Sequence, residues 1–383
     1  MIKNQEIICF AGNDWWYRHP GSTTHIMKYL ARYNKVIYVN SILMDVPNIR
    51  ASNLLSRIRG KLRSYFKWMK KLNKQLLIFS PVTIPFYSIP VIRKISRLLL
   101  LLQLRHCMKL FHIAKPILWI DIPTAYEIVN NLTTKLLIYN VIDRYTAKES
   151  RAKGIIKYYH SKLMASGNLI LFSSYKYYEE SAENQANAYF LDHAVEYKHF
   201  SKTINQDLII PDDIASIKRP IVGYIGTAHE DWELVRYLVR RKPNWNFVFI
   251  GRKQNVKIES EKIPNLFFLG QKPYSILPNY AKVFDVCILP YKIDEWVEYS
   301  NPIKLKEYLS TGKPVVSISF PAVERYKDIV YCARNKEEFL KYLEFAIYED
   351  TAELQKKRID AVRYETWDKR VEEISERISS FIN

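Results

Sequence analysis

A lysine and a glutamate three residues apart, Lys304 and Glu307, sit in the stretch EYSNPIKLKEYLSTGKPVV, residues 298–316. Asn301 before Pro302 predicts a helix start, with asparagine as N-cap and proline at the first helical position. Thr311-Gly312 predicts the end, with Gly312 in the left-handed C-terminal position. Free amides and the helix dipole make such an N-terminus a site for phosphate. Lys304 adds a full positive charge in the first turn, where a cation is disfavoured unless an anion offsets it. Glu307 lies about 60° around the helix from Lys304, while Leu305 and Leu309 turn to the core. A carboxylate at ribose distance accepts two hydroxyl hydrogen bonds. The pair could therefore hold the ribose and diphosphate of a nucleotide. The plainer alternative is a capped surface helix with an incidental ion pair.

The elements that must position this pair alternate along the chain. In the first half, IICFAG, KVIYVN, QLLIFS, ILWI, KLLIYNV, NLILF and AYFL read as buried strands, with helical stretches such as TTHIMKYLARY and TAYEIVNNL between them. Continuous apolar strands separated by helices predict a parallel sheet covered on both faces. A polar, proline-containing stretch at 201–219 predicts a linker. A second alternation follows in PIVGYIG, NFVFIG, NLFFLG, DVCILP and PVVSIS, with helices in EDWELVRYLVRR and SILPNYAKV. Gly226, Gly251 and Gly270 each close an apolar run, the strand end at which open α/β sheets bind ligands. The expected domains are 1–200, the linker 201–219, a nucleotide-binding domain 220–365, and a terminal helix 366–383 starting at Thr366. The fold class is α/β, with two Rossmann-like doubly wound domains.

Composition narrows the class. A chain of 383 residues with 48% hydrophobic and 25% charged residues is a folded protein too long for one ordinary core. Cys9, Cys107, Cys287 and Cys332 are scattered, which suggests neither a disulfide framework nor a zinc site. The N-terminal MIKNQEIICFAG reads as a first strand, not a secretion signal, and no apolar run approaches the roughly 20 residues that span a bilayer. The net charge of +19 is local: Pro47–Ile120 holds 15 Lys and Arg and no Asp or Glu, and the rest carries 43 basic against 39 acidic residues, +4. Within it, LLSRIRGKLRSYFKWMKKLNK and VIRKISRLLLLLQLRHCMKLFHIAK interleave cations with leucines and aromatics. That composition suits an anionic membrane surface. Solvated domain helices would also fit, whereas no nucleic-acid-binding motif accompanies the charge.

Several motifs together resemble the GT-B glycosyltransferases, in particular the bacterial family-four type that builds surface polysaccharides and teichuronic acids. SNPIKLKEYLSTGKPVV resembles the family's nucleotide-sugar helix, which implies that Glu307 holds the donor ribose. RPIVGYIGTAHEDWELV with NWNFVFIG is similar to the opening βαβ of the donor domain, which implies Gly226 and Thr227 near the diphosphate. LDHAVEYKHF is similar to the hinge motif, LLIYNVIDRYTAKE to a segment lining the acceptor side, and TWDKRVEEI to a terminal helix that crosses back to the first domain. Two features depart from the family. Tyr299 stands where the first glutamate of the Glu-x7-Glu motif often lies, and GTAHEDW replaces the usual phosphate-binding Arg and Lys, for which Lys304 or Arg252 would substitute. Ser300, Asn301 and Ile303 complete the expected donor set.

The reaction so implied moves a sugar, with UDP the favoured nucleotide, onto a glycan or polyprenyl-diphosphate-linked acceptor. No Asp-x-Asp and no His/Cys ligand cluster occurs, so no metal and no other cofactor is expected, the helix dipole and cations stabilising the leaving diphosphate. An inverting transfer needs a general base; Asp143 in VIDRY and Asp14 in GNDWW are the candidates, either of which could instead cap a turn. His19 and His25 flank PGSTT, a loop containing Gly21 that is expected to face the acceptor. The expected location is cytoplasmic, peripheral at the inner face of the plasma membrane, with no nucleic-acid partner. The alternatives are a GT-B-fold nucleotide-sugar epimerase and a non-catalytic polyanion-binding protein on the same scaffold.

Overall fold

The computed structural model describes residues 1–17, 19–42, 68–84, 89–145, 153–205, 207–226, 229–252 and 262–382. The chain divides into two compact units, Met1–Asp192 with Arg370–Asn383, and His193–Lys369.

The first unit is built on an eight-stranded sheet of β1 (Glu6–Phe10), β2 (Lys35–Val39), β3 (Met69–Lys71), β4 (Leu76–Phe79), β5 (Ile117–Ile120), β6 (Leu136–Val141), β7 (Leu169–Phe172) and β8 (Ala188–Phe190). Their order is β3-β4-β2-β1-β5-β6-β7-β8. All neighbours are parallel except β3, which runs antiparallel to β4 at the edge. The central strands are largely apolar because helices cover the sheet: Ile8, Phe10, Ile37, Phe79, Ile120 and Phe172 share a core with Leu100, Leu104 and Phe111 of the helix Pro90–Phe111. The helix Trp367–Ile382 closes the unit, burying Val371, Ile374 and Ile378, with Arg377 4.5 Å from the Tyr189 ring centroid.

The second unit carries a six-stranded parallel sheet in the order β11-β10-β9-β12-β13-β14. Its strands are β9 (Ile221–Ile225), β10 (Asn246–Ile250), β11 (Leu266–Gly270), β12 (Val286–Leu289), β13 (Val315–Ile318) and β14 (Tyr331–Ala333). The order reverses between β9 and β12, the switch point at whose C-terminal strand ends open α/β sheets place a ligand crevice. The helix Trp232–Arg241 begins at Asp231, whose carboxylate accepts from the amides of Glu233 and Leu234 at 3.0 Å.

Four expectations change. Met69–Lys71, read as part of a basic helix, is an edge strand, and residues 54–67 of that segment lie outside the described residues. The stretch 201–219 is not a separate linker, because the division falls at Asp192/His193. Phe200 and Ile214 bury themselves in the second unit's core, and Asp213 accepts from the Tyr280 hydroxyl at 2.9 Å. The helix after β12 begins one residue later than Asn301-Pro302 suggested: Pro302 is its N-cap, without a side-chain cap, and the helix is Ile303–Ser310. The last helix begins at Trp367, but its residues join the first unit only from Arg370.

Candidate functional site

The site in the second unit is assembled from the loops after β9 and β12. Leaving β9, Gly226 must lack a Cβ, since one would lie 2.1 Å from the Tyr224 hydroxyl oxygen. The two loops are laced together: the Asp231 amide donates to the Pro290 carbonyl at 2.7 Å and the Lys292 amide to that of His229 at 2.7 Å. The His229 ring stacks on Trp296 at 4.1 Å between centroids. The second loop makes one helical turn, Glu295–Glu298, capped by Asp294, and reaches Ser300, whose hydroxyl donates to the Val297 carbonyl at 2.8 Å.

The helix Ile303–Ser310 follows. Leu305 and Leu309 are buried in the core, as their spacing predicts. Tyr308 fixes the helix to the end of β9 by accepting from the Ile225 amide at 2.7 Å. Gly312 just beyond it has φ +74°, the left-handed residue expected there. Glu307 is only 3% exposed, and Lys304 Nζ donates to its Oε2 at 2.7 Å. The Tyr274 hydroxyl faces the same carboxylate; burial first, then the charges of Glu307 and Glu196, pushes this phenol far above its ordinary range. It is therefore a permanent donor. A carboxylate with a cation on one oxygen and a phenol beside it still has lone pairs to offer incoming hydroxyls.

Lys306 was not singled out from the sequence, yet it is buried, donating to the His193 carbonyl and to Glu365 at 3.2 Å. Tyr274 and Glu196 were missed too, because 33 and 111 residues separate them from Glu307 and only folding brings them together. Of the expected donor residues, Gly226, Ser300, Asn301, Ile303, Lys304 and Glu307 lie on the two crevice loops and the helix that follows. Arg252 follows β10, and Thr227 is outside the described residues.

In the first unit, Asp14, His19, Gly21 and His25 all belong to the loop after β1 and the first turn of the helix Ser22–Leu30. A Cβ at Gly21 would fall 2.2 Å from Asn13 Nδ2, so substitution there also displaces Asn13. His25 is buried, at 2% exposure, so its side chain belongs to the helix's packed face. Asp143 follows β6, where the Tyr145 amide donates to its carbonyl at 2.9 Å. Between these strands lies Asp121, a residue the sequence reading passed over although ILWID carries the same signal as VID, an aspartate directly after an apolar strand. Asp121 is fully buried and accepts from the Gly12 amide at 3.1 Å, Trp119 Nε1 at 2.8 Å and Asn140 Nδ2 at 2.9 Å. Burial raises its carboxyl pKa, and these donors pull it back. Asn40, likewise buried, accepts from the Trp15 amide at 2.7 Å and donates to Ser80 Oγ at 2.8 Å. The loop bearing Asp14 is thus pinned by polar groups at two strand ends, Asp121 after β5 and Asn40 after β2. All four cysteines are free, and burial pushes each thiol above its ordinary range. Among the described residues there is no group of three or more His, Cys, Asp and Glu side chains disposed to hold a metal ion.

Residues 219–347 match the family model for glycosyl transferases group 1. TuaH of Bacillus subtilis, assigned to teichuronic acid biosynthesis as a glycosyltransferase, is 24% identical over 234 residues, which is 56% of this chain and 58% of that protein. The chain thus spans little more than half the length of this relative. Among solved structures, sucrose-phosphate synthase from Thermosynechococcus elongatus aligns over 99% of both chains with a TM-score of 0.71 at 10% identity. HepE of Anabaena, in complex with UDP and glucose, aligns over 99% of this chain and 100% of its own with a TM-score of 0.64 at 10% identity. The E. coli trehalose-6-phosphate protein bound to UDP-2-fluoro glucose aligns over 99% of both chains with a TM-score of 0.68 at 11% identity. These likenesses show the fold, two Rossmann-like units of the GT-B type. Residues 219–347 of the second unit thus match the glycosyl transferases group 1 domain, on a chain whose fold is that of the GT-B structures.

Proposed function

We propose that this chain transfers a sugar from a UDP-sugar to a lipid-linked or glycan acceptor in bacterial surface-polysaccharide synthesis, without a metal and at the inner face of the plasma membrane. The observation that carries the donor half is Glu307, a buried carboxylate ion-paired to Lys304 in the first turn of the helix after β12, inside the matched transferase domain. The ribose hydroxyls donate to Glu307, while the helix N-terminus, Lys304 and Arg252 meet the diphosphate as charge develops on the leaving group. Asp143 or Asp14 takes the proton from the acceptor hydroxyl. UDP is favoured because HepE and the E. coli protein bind UDP compounds in the same fold, and the polysaccharide role by the likeness to TuaH.

The test is thermal stabilisation by UDP, GDP, dTDP and CMP in the wild type, Glu307→Ala and Glu307→Gln. UDP alone should raise the wild-type transition, with affinity about tenfold or more weaker in both variants, since a hydrogen bond to a charged group contributes about 1.5–3 kcal/mol. The glutamine variant keeps the volume and separates lost binding from lost packing. No shift with any nucleotide in the wild type would refute the donor site. A shift accompanied by sugar interconversion without acceptor would make the protein an epimerase.

A further inference from the structure

The helix Pro90–Phe111 is apolar on two opposite faces. One face, with Leu100, Leu104, Cys107 and Phe111, packs into the first unit's core. On the other, Val91 is 68% exposed, Ile95 48%, Leu98 58% and Leu102 56%. At about 100° per residue these four fall within roughly 60° of arc. A helix apolar all round is ordinarily buried on every side; this one presents an aliphatic ladder to solvent. The ladder continues onto neighbouring chain. Gln103 donates from Nε2 to the Val82 carbonyl at 2.9 Å and accepts from the Val82 amide at 3.0 Å and from Trp68 Nε1 at 3.4 Å. Val82 and Trp68, themselves 52% and 38% exposed, are thereby held against the same helix.

The helix's own charge has one sign. The helix contains no Asp or Glu, and Lys94, Arg105 and Lys109 are exposed along the ladder. Among the described residues, Glu127 reaches this helix from outside, and it is largely buried and already bonded to Arg93 at 3.2 Å. We propose that this face docks on an anionic lipid bilayer, the aliphatic ladder and Trp68 entering the headgroup–acyl boundary and the cations meeting lipid phosphates. Nucleic acid would satisfy the cations but not the leucines. A second copy would satisfy the leucines but bring like charges together. An anionic membrane satisfies both. The purpose of this contact, bringing the enzyme to a lipid-linked acceptor, rests on the transferase reading; the contact itself needs no donor.

The test is flotation of the full chain with vesicles of phosphatidylcholine alone or in equal mixture with phosphatidylglycerol. The wild type should float with the anionic vesicles, less at high salt. Leu98→Glu/Leu102→Glu should float about tenfold less while keeping its circular dichroism, thermal transition and response to UDP. Lys94→Gln/Lys109→Gln should lose the preference for phosphatidylglycerol. A wild type that stays at the bottom of the gradient overturns the proposal, as does a double-glutamate variant that floats like the wild type. Concentration-dependent self-association abolished by that variant, without flotation, would place a second copy on the face instead and overturn it equally. Flotation without any nucleotide response would leave the membrane surface standing and remove the donor site.

Discussion

Arg358 gathers three parts of the second unit with one guanidinium. It is fully buried, donating from Nη1 to the Gly312 carbonyl and from Nε to that of Ile329, both at 3.2 Å, and pairing through Nη2 with Asp350 at 2.6 Å. It therefore fixes the end of the helix that carries Glu307, yet QKKRID around it reads as an ordinary exposed helix face. Local sequence brings out polar pairs when their spacing is local, as with Lys304 and Glu307. It does not name those that hold them from across the fold, such as Arg358, Tyr274 and Asp121. His160 in the first unit is of this second kind. It is hydrogen-bonded to the Tyr139 hydroxyl through Nδ1 at 2.7 Å and to that of Tyr177 through Nε2 at 3.0 Å. Burial, and secondarily Arg144, lowers its pKa to about 4. The unfolded chain takes up a proton near the ordinary imidazole pKa of about 6.5 that the native state refuses until about 4. Stability from this residue is thus fully present above the ordinary value and falls as pH drops through that window, by up to roughly 3 kcal/mol. Denaturant titrations of wild type and His160→Gln should show the wild type's advantage shrinking as pH falls from neutral toward 4. A constant difference would show that the ring is not held neutral.

At the scale of elements, most of the sheet structure was legible because both sheets are buried on two faces, which makes each central strand an uninterrupted apolar run. The strands that escaped are short edge strands of three residues: MKK, two of its three residues charged, and YCA, whose tyrosine and cysteine are only half-buried. The expected linker failed for a related reason, since polar residues dominate 201–219 and the few anchors, such as Ile214, are isolated in the sequence. Glycine in β9 marks a different constraint. Gly223 pairs with both Val248 and Cys287, and a Cβ there would lie 2.1–2.3 Å from ring atoms of the buried Phe284. Gly223→Ala should destabilise the second unit by about 1–3 kcal/mol through overpacking, measured as a lowered denaturation midpoint. Gly223→Ala/Phe284→Leu should recover part of that loss. If the single variant matched the wild type, the strand and ring would have to separate freely.

For the molecule as a whole, two cores in two units imply that unfolding departs from a single two-state step. Calorimetry should resolve two overlapping transitions, and UDP should raise one of them. Mass action gives about 2.7 kcal/mol of stabilisation at a hundredfold excess over Kd, confined to the unit that holds Glu307. A single transition moved bodily by UDP would contradict this independence. The overall charge of +19 was legible in the sequence, as was its concentration in Pro47–Ile120. Its pairing with an exposed aliphatic ladder was not, because LLLLLQL between Leu98 and Leu104 reads as core until the structure shows which side chains face away from it.

The first unit is discontinuous, made of Met1–Asp192 and completed by Arg370–Asn383, whereas the second is one unbroken stretch. On a ribosome this sets an order of events. The sheet of the first unit emerges first but waits, through 177 residues of intervening chain, for the helix that brings Val371, Ile374 and Ile378. The second unit can finish folding during that wait. The helix that carries Glu307 would then be in place before the earlier sheet is sealed, and the apolar surface awaiting the last helix is where a chaperone would have most to protect.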